Sequence, residues 1–123
     1  MAEMATNVGT QPRTGIANAA LVRGLRCTRN ASGTLDVQDA TARGDYVTGQ
    51  DLEAGKPGTV YSMGGGGKVA ALASEAANVG DLAYTAAAGK FSKTSTNAVL
   101  CGRWALAASG NNVLGEVELF EVA

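Results

Sequence analysis

The sequence predicts a small all-β domain, and three observations carry that prediction. From Val69 to Val122 the apolar runs are short and cut by Gly-containing turns: KVAALA, NVGDLAYT, AGKFSKT, NAVLCGRWALA and GEVELFEV. Such punctuation gives strand after strand and leaves little room for long helices. Glycine is abundant, 17 of 123 residues, about twice ordinary usage, and it supplies the backbone angles of tight turns. Hydrophobic residues make up 46% of the chain but aromatic ones only 5%, so the core must be built in thin layers from Ala and Val. A chain of this length suits one domain with its own core, to which association with a partner could add stability.

Residues 1–18 are polar, contain Pro12 and show neither the helical nor the strand period, so they read as an extended N-terminal arm or a disordered terminus. The domain proper spans residues 19–123. Ala19 to Arg26 is the first strand, with Leu21, Val22 and Leu25 as apolar contacts. Asn30 to Gly33 turns the chain into a short strand at Leu35 to Gln38. Arg43-Gly44-Asp45 turns it again into Tyr46-Val47-Thr48. Gly55-Lys56-Pro57-Gly58 is a strong turn, followed by an alternating strand over Thr59 to Met63. The four-glycine loop Gly64 to Gly67 leads to a strand at Lys68–Ala73 and reads as a hairpin loop; Ala propensity allows at most one helical turn in Ala70 to Ala77. Leu82 to Thr85, Lys90 to Lys93, Val99 to Leu106 and Val113 to Val122 complete the strands. Gly44-Asp45 and Gly80-Asp81 each stand directly before a strand, an echo too short to argue a duplicated domain.

Ten basic and eleven acidic residues give a formal net charge of -1, without the basic excess of a nucleic-acid binder. Arginines gather in the first third and Glu116, Glu118 and Glu121 in the last strand, as two solvated faces or as complementary contacts. No apolar run approaches the length of a membrane span and no export signal is evident, so the expectation is a cytosolic site of synthesis with no membrane partner. Cys27 and Cys101 lack metal spacing and read as buried free thiols, a disulfide requiring that their strands be neighbours.

The chain contains no histidine, which removes Ser-His-Asp and Cys-His catalysis within one chain; the expectation is a protein without enzymatic activity, cofactor or metal. Gly64 to Lys68 departs from a phosphate loop, with Ser62 and Val69 where Gly and Ser or Thr are needed. The acids Asp36, Asp39, Asp45, Asp51 and Glu53 fit no calcium-loop pattern. Arg43-Gly44-Asp45 matches an adhesion tripeptide and Asn30-Ala31-Ser32 a glycosylation sequon, both read as coincidence without an export signal. Trp104 reads as a core or interface anchor, with stacking on a sugar as the alternative. Phe120 shares a strand face with glutamates and is either half-buried under a loop or a docking residue.

Gly55, Gly58 and Val60, the Ala-rich segment, Gly80-Asp81-Leu82-Ala83-Tyr84, Gly89-Lys90, Gly102-Arg103-Trp104-Ala105 and Val117-Glu118-Leu119 together resemble the head-decoration, or capsid cement, proteins of tailed bacteriophages. The resemblance covers somewhat over half of the chain, and Arg103-Trp104 departs from the simpler strand usual there. It implies a β-sandwich or barrel, jelly-roll-like or β-tulip-like, that binds the outside of the major capsid protein shell and stabilises it as a trimer or dimer. Candidate capsid and subunit contacts are Pro12 and Arg13 of the arm, Gly64 and Gly65 of the loop, Trp104 and Phe120. The alternative is a head-fibre or carbohydrate- or receptor-binding module, for which Trp104 or Tyr61 would have to be exposed.

Overall fold

The computed structural model describes residues 12–121. Ten strands run in chain order: β1 (Pro12–Ile16), β2 (Arg26–Arg29), β3 (Leu35–Val37), β4 (Tyr46–Thr48), β5 (Pro57–Ser62), β6 (Gly67–Leu72), β7 (Leu82–Thr85), β8 (Phe91–Ser92), β9 (Leu100–Leu106) and β10 (Leu114–Leu119). The only helical piece among the described residues is a 3₁₀ turn at Ala87–Gly89. The Ala-rich stretch after the glycine loop is extended, because Val69 and Ala71 face one core as alternate residues of β6.

The strands form two antiparallel five-stranded sheets, ordered β1-β5-β4-β2-β3 and β6-β10-β9-β7-β8. In each sheet the chain leaving the first strand reaches the third through a parallel bridge, Ala17 to Leu35 in one and Ala73 to Phe91 in the other. Each sheet therefore curls round its own apolar filling, in the manner of a small barrel. Ala17, Leu21, Leu25, Cys27, Leu35, Leu52 and Val60 fill the first, joined by Leu72 of the second. Ala71, Ala73, Ala83, Phe91, Cys101, Trp104 and Val117 fill the second, joined by Val47 and Met63 of the first. Each filling thus borrows residues from the other half.

The second sheet repeats the first rung by rung. Arg26 pairs with Val47, and 56 residues on Leu82 pairs with Arg103. Arg29 pairs with Leu35, and Thr85 with Phe91. Along the last strand of each half the separation becomes 57: Arg13 pairs with Val60 and Val69 with Val117, while Thr48 pairs with Val60 and Trp104 with Val117. Loop hydrogen bonds repeat as well: Gly24 N–H donates to Thr48 O and Gly80 N–H to Trp104 O, both near 3 Å (3.0 and 2.9 Å). The chain is an internal duplication. The Gly-Asp echo is not its trace, since Gly44-Asp45 precedes β4 and Gly80-Asp81 precedes β7, which are not equivalent strands.

Three sequence expectations change. Ala19 to Arg26 is not a strand: Leu21 makes only an isolated bridge to Leu52, and β2 begins at Arg26. Pro12–Ile16 is not free arm but an edge strand, paired along its whole length with Pro57 to Tyr61 of β5; the rest of the arm, residues 1–11, lies outside the described residues. The four-glycine loop is not a hairpin. It carries the chain from β5 in one sheet to β6 in the other, so the two strands it joins never pair.

Candidate functional site

The sequence-derived contact residues separate into a surface group and a core residue. Pro12 and Arg13 are exposed on β1, where Pro12 stands opposite Tyr61 near the end of β5. Three residues beyond Tyr61 comes Gly64, half-buried, and then Gly65, exposed, in the connection between the sheets. Gly66 of this connection lies against the chain's own Glu121: a Cβ added there would stand 2.9 Å from Glu121 Cγ. Phe120 is half-buried beside it, its N–H donating to Cys101 O at 3.0 Å. The fold therefore gathers Pro12, Arg13, Gly64, Gly65 and Phe120 at one end of the molecule, around the crossing between the sheets.

Trp104 does not belong to this group. It is 1% exposed, packed among Ala83, Phe91 and Val117, and its indole N–H donates to Ser92 O at 3.2 Å. Gly115 makes the room, since a Cβ there would stand 2.8 Å from the Trp104 ring. As a contact residue Trp104 is corrected to a core residue: it pairs with Val117 of β10 and shares its core-facing side. Tyr61 is only partly exposed and packs against the second core. Neither ring is free to stack on a sugar.

The crossing is held by arginines whose roles the sequence did not reveal. Arg43 Nη2 donates to Met63 O (2.9 Å), Cys101 O (3.1 Å) and Phe120 O (3.1 Å), tying the end of β5 to the ends of β9 and β10. The arginine of the Arg-Gly-Asp tripeptide is thereby turned inward, and the exposed Asp45 is engaged by Thr28 Oγ1 (2.9 Å) and the Arg29 N–H (3.0 Å). Asn30 of the sequon is likewise committed to its own turn, donating to Thr34 Oγ1 at 2.7 Å. Arg26 is fully buried between the sheets. Its guanidinium reaches six backbone carbonyls, four of the first half (Gln38, Asp39, Ala42, Arg43) and two of the second (Ala86, Lys90), and stands 5.8 Å from the Phe91 ring centre. Burial pulls its pKa below the usual arginine range; the nearby Cys101 and Asp39 oppose that shift.

A shallow polar depression of about 350 Å³ lies beside this end, lined by Arg29, Asp45, Tyr46 and Ser62. Arg29 donates to Tyr46 Oη at 3.1 Å and stacks on its ring at 5.6 Å, so its polar groups already serve one another. Among the described residues no cluster of three or more Cys, Asp or Glu side chains is placed to hold a metal ion. Cys27 and Cys101 are separate buried thiols; burial, with Asp45 adding to it, pushes Cys27 up to about 12.

No protein-family model matches the chain, and no curated protein sequence does. A solved structure does match. The same fold occurs in the head fiber gp8.5 N base of bacteriophage phi29. The two share 17% sequence identity with a TM-score of 0.65, over 93% of this chain and 98% of that one. The likeness thus extends over both halves of the duplication, and it is one of fold.

Proposed function

We propose that this chain is a non-enzymatic structural protein of a tailed-phage head, bound to the outer surface of the major capsid protein shell, which it reinforces or on which it forms the base of a fibre. The observation that carries the reading is the agreement of architecture with a head-fibre base over 93% of the chain. The turn-and-strand motifs shared with head-decoration proteins point to the same location. The arrangement of side chains is consistent with a platform: Trp104 and Phe91 are committed to the core, Arg26 and Arg43 to cross-sheet bonds, and the exposed segments are strand edges and loops. The capsid-facing end is the one that gathers Pro12, Arg13, Gly64, Gly65 and Phe120. The protein works in copies of itself, with a trimer favoured over a dimer, and is made in the host cytoplasm before joining the virion exterior.

Mixing the purified protein with undecorated capsids of the matching phage tests this reading. Co-sedimentation at micromolar concentration, with capsids more resistant to heat, is the expected result. Protein left wholly in the supernatant would overturn it.

A further inference from the structure

The two halves of the duplication do not pack symmetrically. If they were related by a two-fold axis, every contact between them would have a mate with the roles exchanged. Four contacts lack that mate. A Cβ on Gly89 would meet Arg26 N and O and Val37 Cγ2, whereas on the equivalent Gly33 it would meet nothing. A Cβ on Gly24 would stand 2.8 Å from both Leu72 N and Leu114 Cδ2, whereas on the equivalent Gly80 it would again meet nothing. Thr85 Oγ1 donates to Ala40 O at 2.7 Å, while the equivalents Arg29 and Thr96 are both exposed. The Arg43 side chain donates to Cys101 O and Phe120 O, while the side chain of its equivalent, Val99, has no donor. The halves are stacked head to tail.

A head-to-tail stack leaves one face open at each end. The face of the first half that is covered by the second contains Gly24, Arg26 and Val47, all buried; its equivalent on the second half contains Gly80, Leu82 and Arg103, all exposed. Val79 and Leu82 there are 64% and 37% exposed. The face of the second half that does the covering contains Leu72, Leu114 and Gly89; its equivalent on the first half contains Ile16, Pro57 and Gly33, again exposed, with Ile16 at 40%. Both open ends therefore carry large apolar side chains on a backbone that already forms, within the same chain, the complementary interface.

We infer that the Val79–Leu82 end of one copy docks on the Ile16–Pro57 end of a second copy, repeating between chains the packing that joins the two halves within one. The occupant is another copy because one chain carries both faces of the packing at its two ends, on equivalent rungs of the two ladders. Such an interface is heterologous, and successive copies close into a ring or extend as a filament. The inference does not rest on the capsid reading and can be tested without capsids.

The test uses sedimentation velocity on the wild-type chain and on Leu82→Glu and Ile16→Asp, from micromolar to several hundred micromolar. The wild type is expected to move to larger species as concentration rises. Each variant is expected to stay monomeric, with association at least about tenfold weaker, as for a central apolar contact. An equimolar mixture of the two variants restores one intact pair of faces, so a species of two chains and nothing larger should appear. Val79→Lys, at a more exposed position, replaces Leu82→Glu should that variant fail to fold, and is expected to behave as Leu82→Glu does. A wild type that remains monomeric throughout, variants that associate as the wild type does, or a mixture that forms no two-chain species would each overturn the inference.

Discussion

Residues 26 and 82 occupy the same rung of the same ladder in the two halves of the molecule, and they are an arginine and a leucine. Arg26 is fully buried and bonds to six carbonyls drawn from both halves; Leu82 is 37% exposed. The equivalent residues 48 and 104 differ just as much. Thr48 is buried through two hydrogen bonds, accepting from Leu25 N–H and donating to Val22 O, whereas Trp104 is buried by apolar packing. One backbone pattern thus accepts a polar or an apolar side chain at the same place. At residues 26 and 82 the difference follows the stacking, since only Arg26 is reached by the other half.

The comparison breaks most severely at Arg26. Arg26→Ala removes the hydrogen bonds that join the two halves and empties the space of a buried side chain, and its expected cost is about 3–5 kcal/mol in urea unfolding, against under about 1 kcal/mol for Leu82→Ala on the open rung. Equal costs would show that the two faces are equally covered. Trp104→Ala is expected to cost a similar amount, about 3–5 kcal/mol, through the cavity left beneath Gly115, while Thr48→Ala should cost about 1–2 kcal/mol for the loss of its hydroxyl bonds.

Gly33 and Gly89 sharpen the comparison further, because both adopt left-handed angles, φ 84° and 77°. Substitution by Ala costs each about 1 kcal/mol for that backbone conformation. Gly89→Ala should cost clearly more than Gly33→Ala, since only at Gly89 does the new methyl press on Arg26 and Val37 of the other half. Matched values in thermal unfolding would place the interface elsewhere.

The smallest effect near neutrality belongs to Cys27. Its pKa is raised to about 12 by burial, so the unfolded chain loses the thiol proton first as pH rises. Stability from this group is complete below about pH 9, falls through alkaline pH by up to about 1.4 kcal/mol per unit, and is exhausted above about 12. Cys27→Ala should flatten that part of the pH profile, and a native Cys27 should react with thiol reagents at pH 8 only on the timescale of opening.

The all-β class and most strand positions were legible in the sequence, because Gly-containing turns flank apolar runs such as VLCGRWAL and GEVELF. The duplication was not. Its surviving marks are few: Ala17 with Ala73, Gly24 with Gly80, Gly33 with Gly89, and Gly58-Thr59-Val60 with Gly115-Glu116-Val117. The spacing changes from 56 to 57 between the Leu52–Ala108 and Gly55–Asn112 equivalences, so no single period is kept. Positions differ even where both halves are buried, as Leu35 does from Phe91 and Thr48 from Trp104. The candidate site was legible in part. Strand edges and loops could be located, so Pro12, Arg13, Gly64, Gly65 and Phe120 fall together, and of the core and interface readings open for Trp104 the structure shows the core. Arg26 and Arg43 read only as members of a basic run, since nothing local tells a buried arginine bonded to carbonyls from a solvated one.

A cryo-EM reconstruction of phage heads carrying this protein tests the central claim most directly. The expected map shows the chain outside the shell, its Pro12, Gly64 and Phe120 end toward the capsid, and Val79 and Leu82 of one copy covered by Ile16 and Pro57 of its neighbour. A map in which the chain is absent from the outer surface, or in which copies meet through other faces and leave Leu82 in solvent, would contradict it.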